Sequence, residues 1–239
     1  MLTLHGMPGA GVVPSFSPPC AKLEGWLRLT GIPYQWRFGD PAAAPRQKLP
    51  YLDDDGRALG DATLLLPYLC ARYGVDPDAR LSPEARASAV LARRALKEHL
   101  YWAIVYARWV PDEGFAAYGA ALAEVLPAAL PLEVRTAVVG AWRDVMRGQL
   151  HAQGTGRFDL DAVTALATET VGALAVGLGA RRYFGGEEPC TLDVTCWASL
   201  TNILDVPGAP TLDAAVRAHP NLTDHTARMG RRLFPERFS

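Results

Sequence analysis

The chain has 239 residues, 49% of them hydrophobic and 21% charged, with a formal net charge of −1. That is enough for one large or two small globular domains with a full core. The balance excludes an extended nucleic-acid surface and a charged tail, so no nucleic-acid partner is expected.

Met1-Leu2-Thr3-Leu4-His5-Gly6 lacks the basic start and long apolar run of a signal peptide. The most apolar stretch, residues 171–180, reads as shorter than the ~20 residues a membrane helix needs. No membrane partner is therefore expected. Cys20, Cys70, Cys190 and Cys196 form no CxxC pair and no metal-ligand spacing. They predict no metal site and a reducing, cytoplasmic setting.

Residues 2–6 alternate weakly and end on glycine, which reads as a first strand; a Gly- and Pro-rich loop follows to residue 19. Residues 20–30 read as a helix with Leu23, Trp26, Leu27 and Thr30 on one face, stopped by Gly31 and Pro33. Residues 34–38 form a second strand, with aromatic and apolar residues alternating. After a loop over 40–47 come a third strand at 50–53, an Asp55-Gly56 turn and a fourth strand at 57–59. Asp61 or Thr63 can cap a helix that closes near Tyr73-Gly74, with Leu65, Tyr68 and Leu69 as its apolar face. This β-α-β-β-β-α order is that of a thioredoxin-like domain.

Residues 75–82 suit a linker, and only helical patterns follow. Ser82-Pro83-Glu84-Ala85 is a strong helix start, which runs to Val110 and stops at Pro111. Further helices are predicted at about 131–151, 159–178, 191–204, 211–218 and 221–233. The expected fold class is an α/β thioredoxin-like N-terminal domain, residues 1–75, joined to an all-α C-terminal domain, residues 82–239.

Lys48-Leu49-Pro50-Tyr51-Leu52 organises the first domain. Proline cannot donate to a sheet ladder and belongs at a strand's first residue or at an edge. With Leu49-Pro50 cis, the backbone N–H and C=O of Leu49 face outward, free to pair with an extended peptide. The Asp61 helix opens beside that edge, and a helix N-terminus favours an anionic group.

Ser17 stands between the first strand and first helix, where a thioredoxin-like domain would carry the first cysteine of a CxxC pair; Cys20 holds the second position. Two readings are open. Ser17 can donate a hydrogen bond to an arriving thiolate, helped by the helix N-terminus, or it can simply cap the helix ahead of Pro18. Cys20 reads as a buried small hydrophobe. His99, Trp102, Tyr106 and Trp109 share a helical stripe, either a wall for an apolar substrate or a domain-interface core. Tyr106 is a second hydroxyl donor if Ser17 points away. Residues 147–157 are glycine-rich without a phosphate-loop Lys-Ser/Thr, and read as an interhelical turn. His219 and His225 read as solvated residues at helix ends.

Taken together, Ser17-Pro18-Pro19-Cys20, Lys48-Leu49-Pro50-Tyr51-Leu52, residues 61–69 and Tyr183-Phe184-Gly185-Gly186-Glu187-Glu188-Pro189-Cys190-Thr191-Leu192-Asp193 resemble the glutathione transferase superfamily over almost the whole chain. Pro14-Ser15-Phe16-Ser17, Gly31-Ile32-Pro33-Tyr34, Pro45-Arg46-Gln47-Lys48 and Glu98-His99-Leu100-Tyr101-Trp102 look most like the metaxin and failed-axon-connections group and its bacterial relatives.

The resemblance implies glutathione as co-substrate, with Ser17 as the thiol-activating hydroxyl. Leu49, before Pro50, would pair with the cysteinyl backbone. Asp61 would take the γ-glutamyl ammonium and the N–H of Ala62 its carboxylate. It further implies a small hydrophobic electrophile as second substrate, and a homodimer. Its alternative is a non-catalytic, metaxin-like interaction module on the same fold. Two positions depart from the family pattern: Ala62 replaces a Ser or Thr whose hydroxyl helps to bind the carboxylate, and Cys190 replaces a capping serine, moving the expected helix start to Thr191.

Overall fold

The computed structural model describes residues 1–238. Strands β1 (Leu2–Gly6), β2 (Gln35–Phe38), β3 (Tyr51–Asp54) and β4 (Arg57–Gly60) form a four-stranded mixed sheet in the order β2-β1-β3-β4. β1 runs parallel to β2 and antiparallel to β3, which pairs antiparallel with β4. Leu4 faces Leu52 across the central pair, so both centre strands bury an apolar residue at the same level. β2 is an edge strand, and all four of its residues are exposed despite their alternating pattern.

Helix α1 (Pro18–Thr30) buries Leu23, Trp26 and Leu27, as their spacing predicts. Helix α2 (Ala62–Tyr73) starts on the Asp61 cap, whose carboxylate accepts the N–H of Thr63 at 2.7 Å, and ends on Gly74 at φ 67°. Beyond it every main element is helical: α3 (Pro83–Ala95), a π turn (Leu96–Leu100), α4 (Tyr101–Trp109), α5 (Asp112–Val125), α6 (Leu132–Gln153), α7 (Leu160–Leu178), α8 (Thr191–Leu204), α9 (Pro210–Arg217) and α10 (Pro220–Leu233).

The sheet, α1 and α2 share one apolar core with Val194, Trp197 and Ala198 of α8 and with Met229 and Leu233 of α10. Gly25 makes the α1–α8 crossing possible, since a Cβ there would lie 2.8 Å from Cζ3 of Trp197. The other core lies among the helices from α3 to α10 and takes in Val13 and Phe16 from the loop before α1.

Several expectations need correction. Residues 112–125 form a helix that the pattern did not predict. Gly114 is no break in it: a Cβ there would lie 2.0 Å from the carbonyl oxygen of Ala107, so it marks where α5 crosses α4. Residues 147–153 continue α6 rather than turning. Helix α7, at 19 residues and a mean hydropathy of 1.3, is by length and composition long enough to cross a bilayer, which residues 171–180 alone did not indicate. Val163, Ala167, Val171, Leu174 and Leu178 on its inner face join the helical core.

His225 is fully buried, not solvated. Its Nε2 lies 2.8 Å from Oδ1 of Asp193. Asp193 also accepts the N–H groups of Phe184, Gly185 and Cys190 at 2.7, 3.1 and 2.8 Å. α8 does begin at Thr191 with Cys190 as its cap residue, and the buried Asp78 carboxylate accepts the N–H of Thr191 at 2.7 Å. Cys190 and Asp193 close a reciprocal capping box, and because a thiol is a poor acceptor the two aspartate carboxylates supply the stronger acceptors at this helix start.

Candidate active site

A cavity of about 290 Å³ opens between the sheet domain and the π turn. Leu49, Pro50, Asp61 and Ala62 all line it. The Leu49–Pro50 peptide bond is cis. Neither the N–H nor the C=O of Leu49 has a partner among the described residues. The N–H of Ala62, first in α2, is likewise free among them. The cavity therefore offers a bare peptide edge beside an open helix N-terminus, a pairing that suits an extended ligand with a terminal carboxylate.

Asp61 adopts φ 72°, a left-handed conformation uncommon for a residue with a side chain. Strain of this kind collects at functional sites. Its Oδ2 lies 3.6 Å from Nζ of Lys97. Burial works against the ionised form, but the N–H of Thr63 and the Lys97 ammonium outweigh it and hold the carboxyl below its usual range. Asp61 is thus a fixed anion at the helix mouth.

Ser17 is not in the cavity lining, although its neighbours Pro18 and Pro19 are. It makes no capping hydrogen bond with its side chain, which removes the simple cap reading. It stands instead beside the Cys20 sulfur, whose ionised form it favours. Burial pushes that thiol above its usual range and outweighs Ser17, the Met7 backbone and Ser15, each of which favours only the ionised sulfur. Cys20 is a buried thiol, not a poised nucleophile.

The Ser17 loop is held from the helical side. Buried Arg108 donates to the carbonyl of Phe16 at 3.2 Å and to the carbonyl of Asn202, and Asn202 donates to the carbonyl of Ser15 at 3.1 Å.

The aromatic stripe divides. The π turn adds a residue to the helical repeat and rotates the faces on either side of it. Trp102 lines the cavity with Tyr101, their rings edge to face at 5.2 Å. His99 turns away, its Nδ1 2.9 Å from Oγ1 of Thr170 on α7. Tyr106 donates to the carbonyl of Phe158 at 3.0 Å, so it is no second donor for the cleft, and Trp109 packs on Tyr118 and Phe115 in the core. Burial pushes the Tyr101 hydroxyl up to about 12, so it remains a proton donor.

Sequence reasoning missed the charge of the cleft. Lys22, Arg46, Lys48 and Lys97 line it against two carboxylates, Asp61 and Glu98. Arg46 lies in a segment read for its resemblance, Lys48 opens a stretch read for its proline and the Leu49 backbone, and Lys22 sits one turn into a helix read for its apolar face. Among the described residues no group of three or more His, Cys, Asp and Glu side chains could hold a metal ion.

The model of the glutathione S-transferase N-terminal domain matches residues 18–114, and that of the glutathione S-transferase C-terminal domain matches residues 167–229. Isoprene-epoxide–glutathione S-transferase of Rhodococcus sp. (strain AD45) is 31% identical over 96% of this chain and 98% of its own. Failed axon connections of Drosophila melanogaster is 28% identical over 94% of this chain, which spans 56% of that protein. Among solved structures, the β-etherase LigF of Sphingobium sp. strain SYK-6 superposes with a TM-score of 0.65 at 19% identity, covering 99% of this chain and 98% of that one. The chain belongs to the glutathione S-transferase family, with the mixed-sheet N-terminal domain and helical C-terminal domain of that fold.

Proposed function

We propose that this protein is a glutathione transferase that binds glutathione along Leu49 and activates its thiol for attack on a small apolar electrophile. The observation that carries this is the unpaired backbone of Leu49 facing the open N-terminus of α2 inside a cleft with surplus cations. Glutathione is an extended peptide with two carboxylates and one ammonium. Its cysteinyl backbone would pair with Leu49 beside Pro50, and its γ-glutamyl carboxylate would meet the N–H of Ala62. The ammonium would lie by Asp61. The glycyl carboxylate would reach the exposed Arg46 and Lys48.

Ser17 supplies the activating hydrogen bond. Because burial keeps Cys20 as a thiol, its S–H can donate to Ser17 Oγ, leaving the Ser17 O–H free for a thiolate. An epoxide suits the cleft, as it does the Rhodococcus relative by name. The sulfur forms the new C–S bond, the C–O bond breaks, and the alkoxide takes a proton from water or from Tyr101. Proximity and thiolate stabilisation supply the catalysis. The cytosol fits this reading, since it keeps glutathione reduced, and Cys20, Cys70, Cys190 and Cys196 are all free.

A second reading is favoured by one observation: Ser17 sits on Cys20 and outside the cavity lining. In that case the cleft binds ligand without chemistry, as in an interaction module. Calorimetric titration with glutathione, followed by turnover with a small epoxide, separates the two. Binding with turnover supports the transferase, and binding without it supports the module.

A further inference from the structure

Lys22 of α1 stands at the junction of two cavities. It lines the cleft described above and a second recess of about 310 Å³ between α1, α2, α3 and α8. Of the neighbouring cations, Arg86 pairs with Asp76, Arg93 with Asp78, and Lys97 with Asp61 and Glu98, while Arg94, on the recess side, makes no ion pair among the described residues. Lys22 makes no hydrogen bond or ion pair among the described residues. The charges acting on it are Lys97 from the π turn, Asp61 at the mouth of α2, and Arg93 and Arg94 of α3; α8 presents only the neutral Thr191 and Thr195, and α2 the Cys70 thiol.

A half-buried cation without a partner costs stability in the free protein. Its site becomes favourable when a ligand anion completes the pair. Burial, reinforced by Lys97, pushes the Lys22 ammonium down to about 8. The same cleft is lined by Ala62, which lacks the hydroxyl that the family places at the γ-glutamyl carboxylate.

We propose that Lys22 anchors the α-carboxylate of the γ-glutamyl residue of glutathione, in place of the hydroxyl missing at Ala62. The proposal rests on the reading of the cleft as a glutathione site. Arg46 and Lys48, at the exposed rim, serve the glycyl carboxylate. Lys22 differs from them in reaching the inner end of the ligand, beside the helix N-terminus and Asp61.

The test uses S-methylglutathione, whose blocked sulfur removes thiol ionisation, and its truncated form S-methyl-γ-glutamylcysteine, which lacks the glycyl carboxylate. Calorimetry gives the Kd of each for the natural chain, Lys22→Gln and Lys22→Arg. Lys22→Gln weakens both ligands by ~10-fold or more, the loss of a charge-assisted hydrogen bond. The carboxylate favours protonated Lys22, so the natural chain loses affinity as pH rises past about 8. Lys22→Arg keeps its charge and lacks that loss. The ligand's own ammonium titrates identically in all three proteins, so the difference between natural chain and Lys22→Arg isolates Lys22. Because Lys22→Gln removes an unpaired charge, its melting temperature holds or rises.

Unchanged affinity of Lys22→Gln for both ligands overturns the Lys22 assignment and leaves the glutathione site standing. Weakening of S-methylglutathione alone also overturns it, by placing Lys22 at the glycyl end. No binding of either ligand to the natural chain overturns the site itself, and this proposal with it.

Discussion

Replacing Ala62 by serine should strengthen glutathione binding. Ala62 is the first residue of α2, 6% exposed, and its N–H is free among the described residues. Serine adds one atom at the helix mouth, where the γ-glutamyl carboxylate is proposed to lie. A hydrogen bond to a charged group is worth roughly 1.5–3 kcal/mol, or about 10- to 150-fold in Kd at ~1.4 kcal/mol per decade. In the natural chain Lys22 already serves that carboxylate, so the gain falls near the lower limit, about 10-fold. In the Lys22→Gln background the carboxylate has lost its cation, and Ala62→Ser recovers more. Calorimetry with S-methylglutathione on the four combinations measures both gains and their coupling. Equal affinity with and without the serine in both backgrounds, in protein of unchanged melting temperature, would refute the placement of the carboxylate at the α2 N-terminus.

Other expectations concern the frame that holds the cleft. Asp193→Ala removes the acceptor of three N–H groups and of His225 in a fully buried site. Breaking such a pair costs about 4 kcal/mol, read as a fall of roughly 10 °C in melting temperature for a chain of this size. Although burial opposes it, the His225 contact and backbone N–H groups hold the Asp193 carboxyl below its usual range. Its stabilisation is thus full above the unfolded carboxyl pKa and is lost as pH falls through the folded one. Acid unfolding followed by circular dichroism should show Asp193→Asn losing this dependence. Gly25→Ala places a Cβ 2.8 Å from the Trp197 ring and should cost about 1–3 kcal/mol by urea denaturation. A substitution without effect would mean that α1 and α8 can separate freely.

The frame was legible in the sequence because its punctuation is local. The Asp61 and Ser82 caps, Gly31, Gly74 and the Asp55-Gly56 turn mark their element ends where expected. Leu49, Pro50, Asp61 and Ala62 line one cavity: a proline at a strand start and a capped helix after a short hairpin marked its two edges, and the resemblance to the glutathione transferase superfamily joined them as one site. What depends on tertiary approach was not legible. Gly114 looks like a break in a row of alanines, yet it is a contact between helices. The π turn at Leu96–Leu100 leaves no mark in a 3.6-residue repeat, so His99 was assigned to the face of Trp102. His225 lies in the stripe Leu222, Thr226, Met229 and Leu233, and that spacing was enough to predict its burial. Lys22 needed the structure, because its meaning lies in the partner it lacks.

The central claim is that this cleft binds glutathione and ionises its thiol through Ser17. The direct measurement is the pH titration of thiolate absorbance of glutathione bound to the natural chain and to Ser17→Ala, with calorimetry confirming that both bind. The account predicts a bound thiol pKa well below that of free glutathione in the natural chain, restored toward the free value in Ser17→Ala, with Kd little changed at a pH below the bound pKa and weakened in Ser17→Ala above it. The same low pKa in both proteins, or bound glutathione that titrates as it does in water, would contradict it.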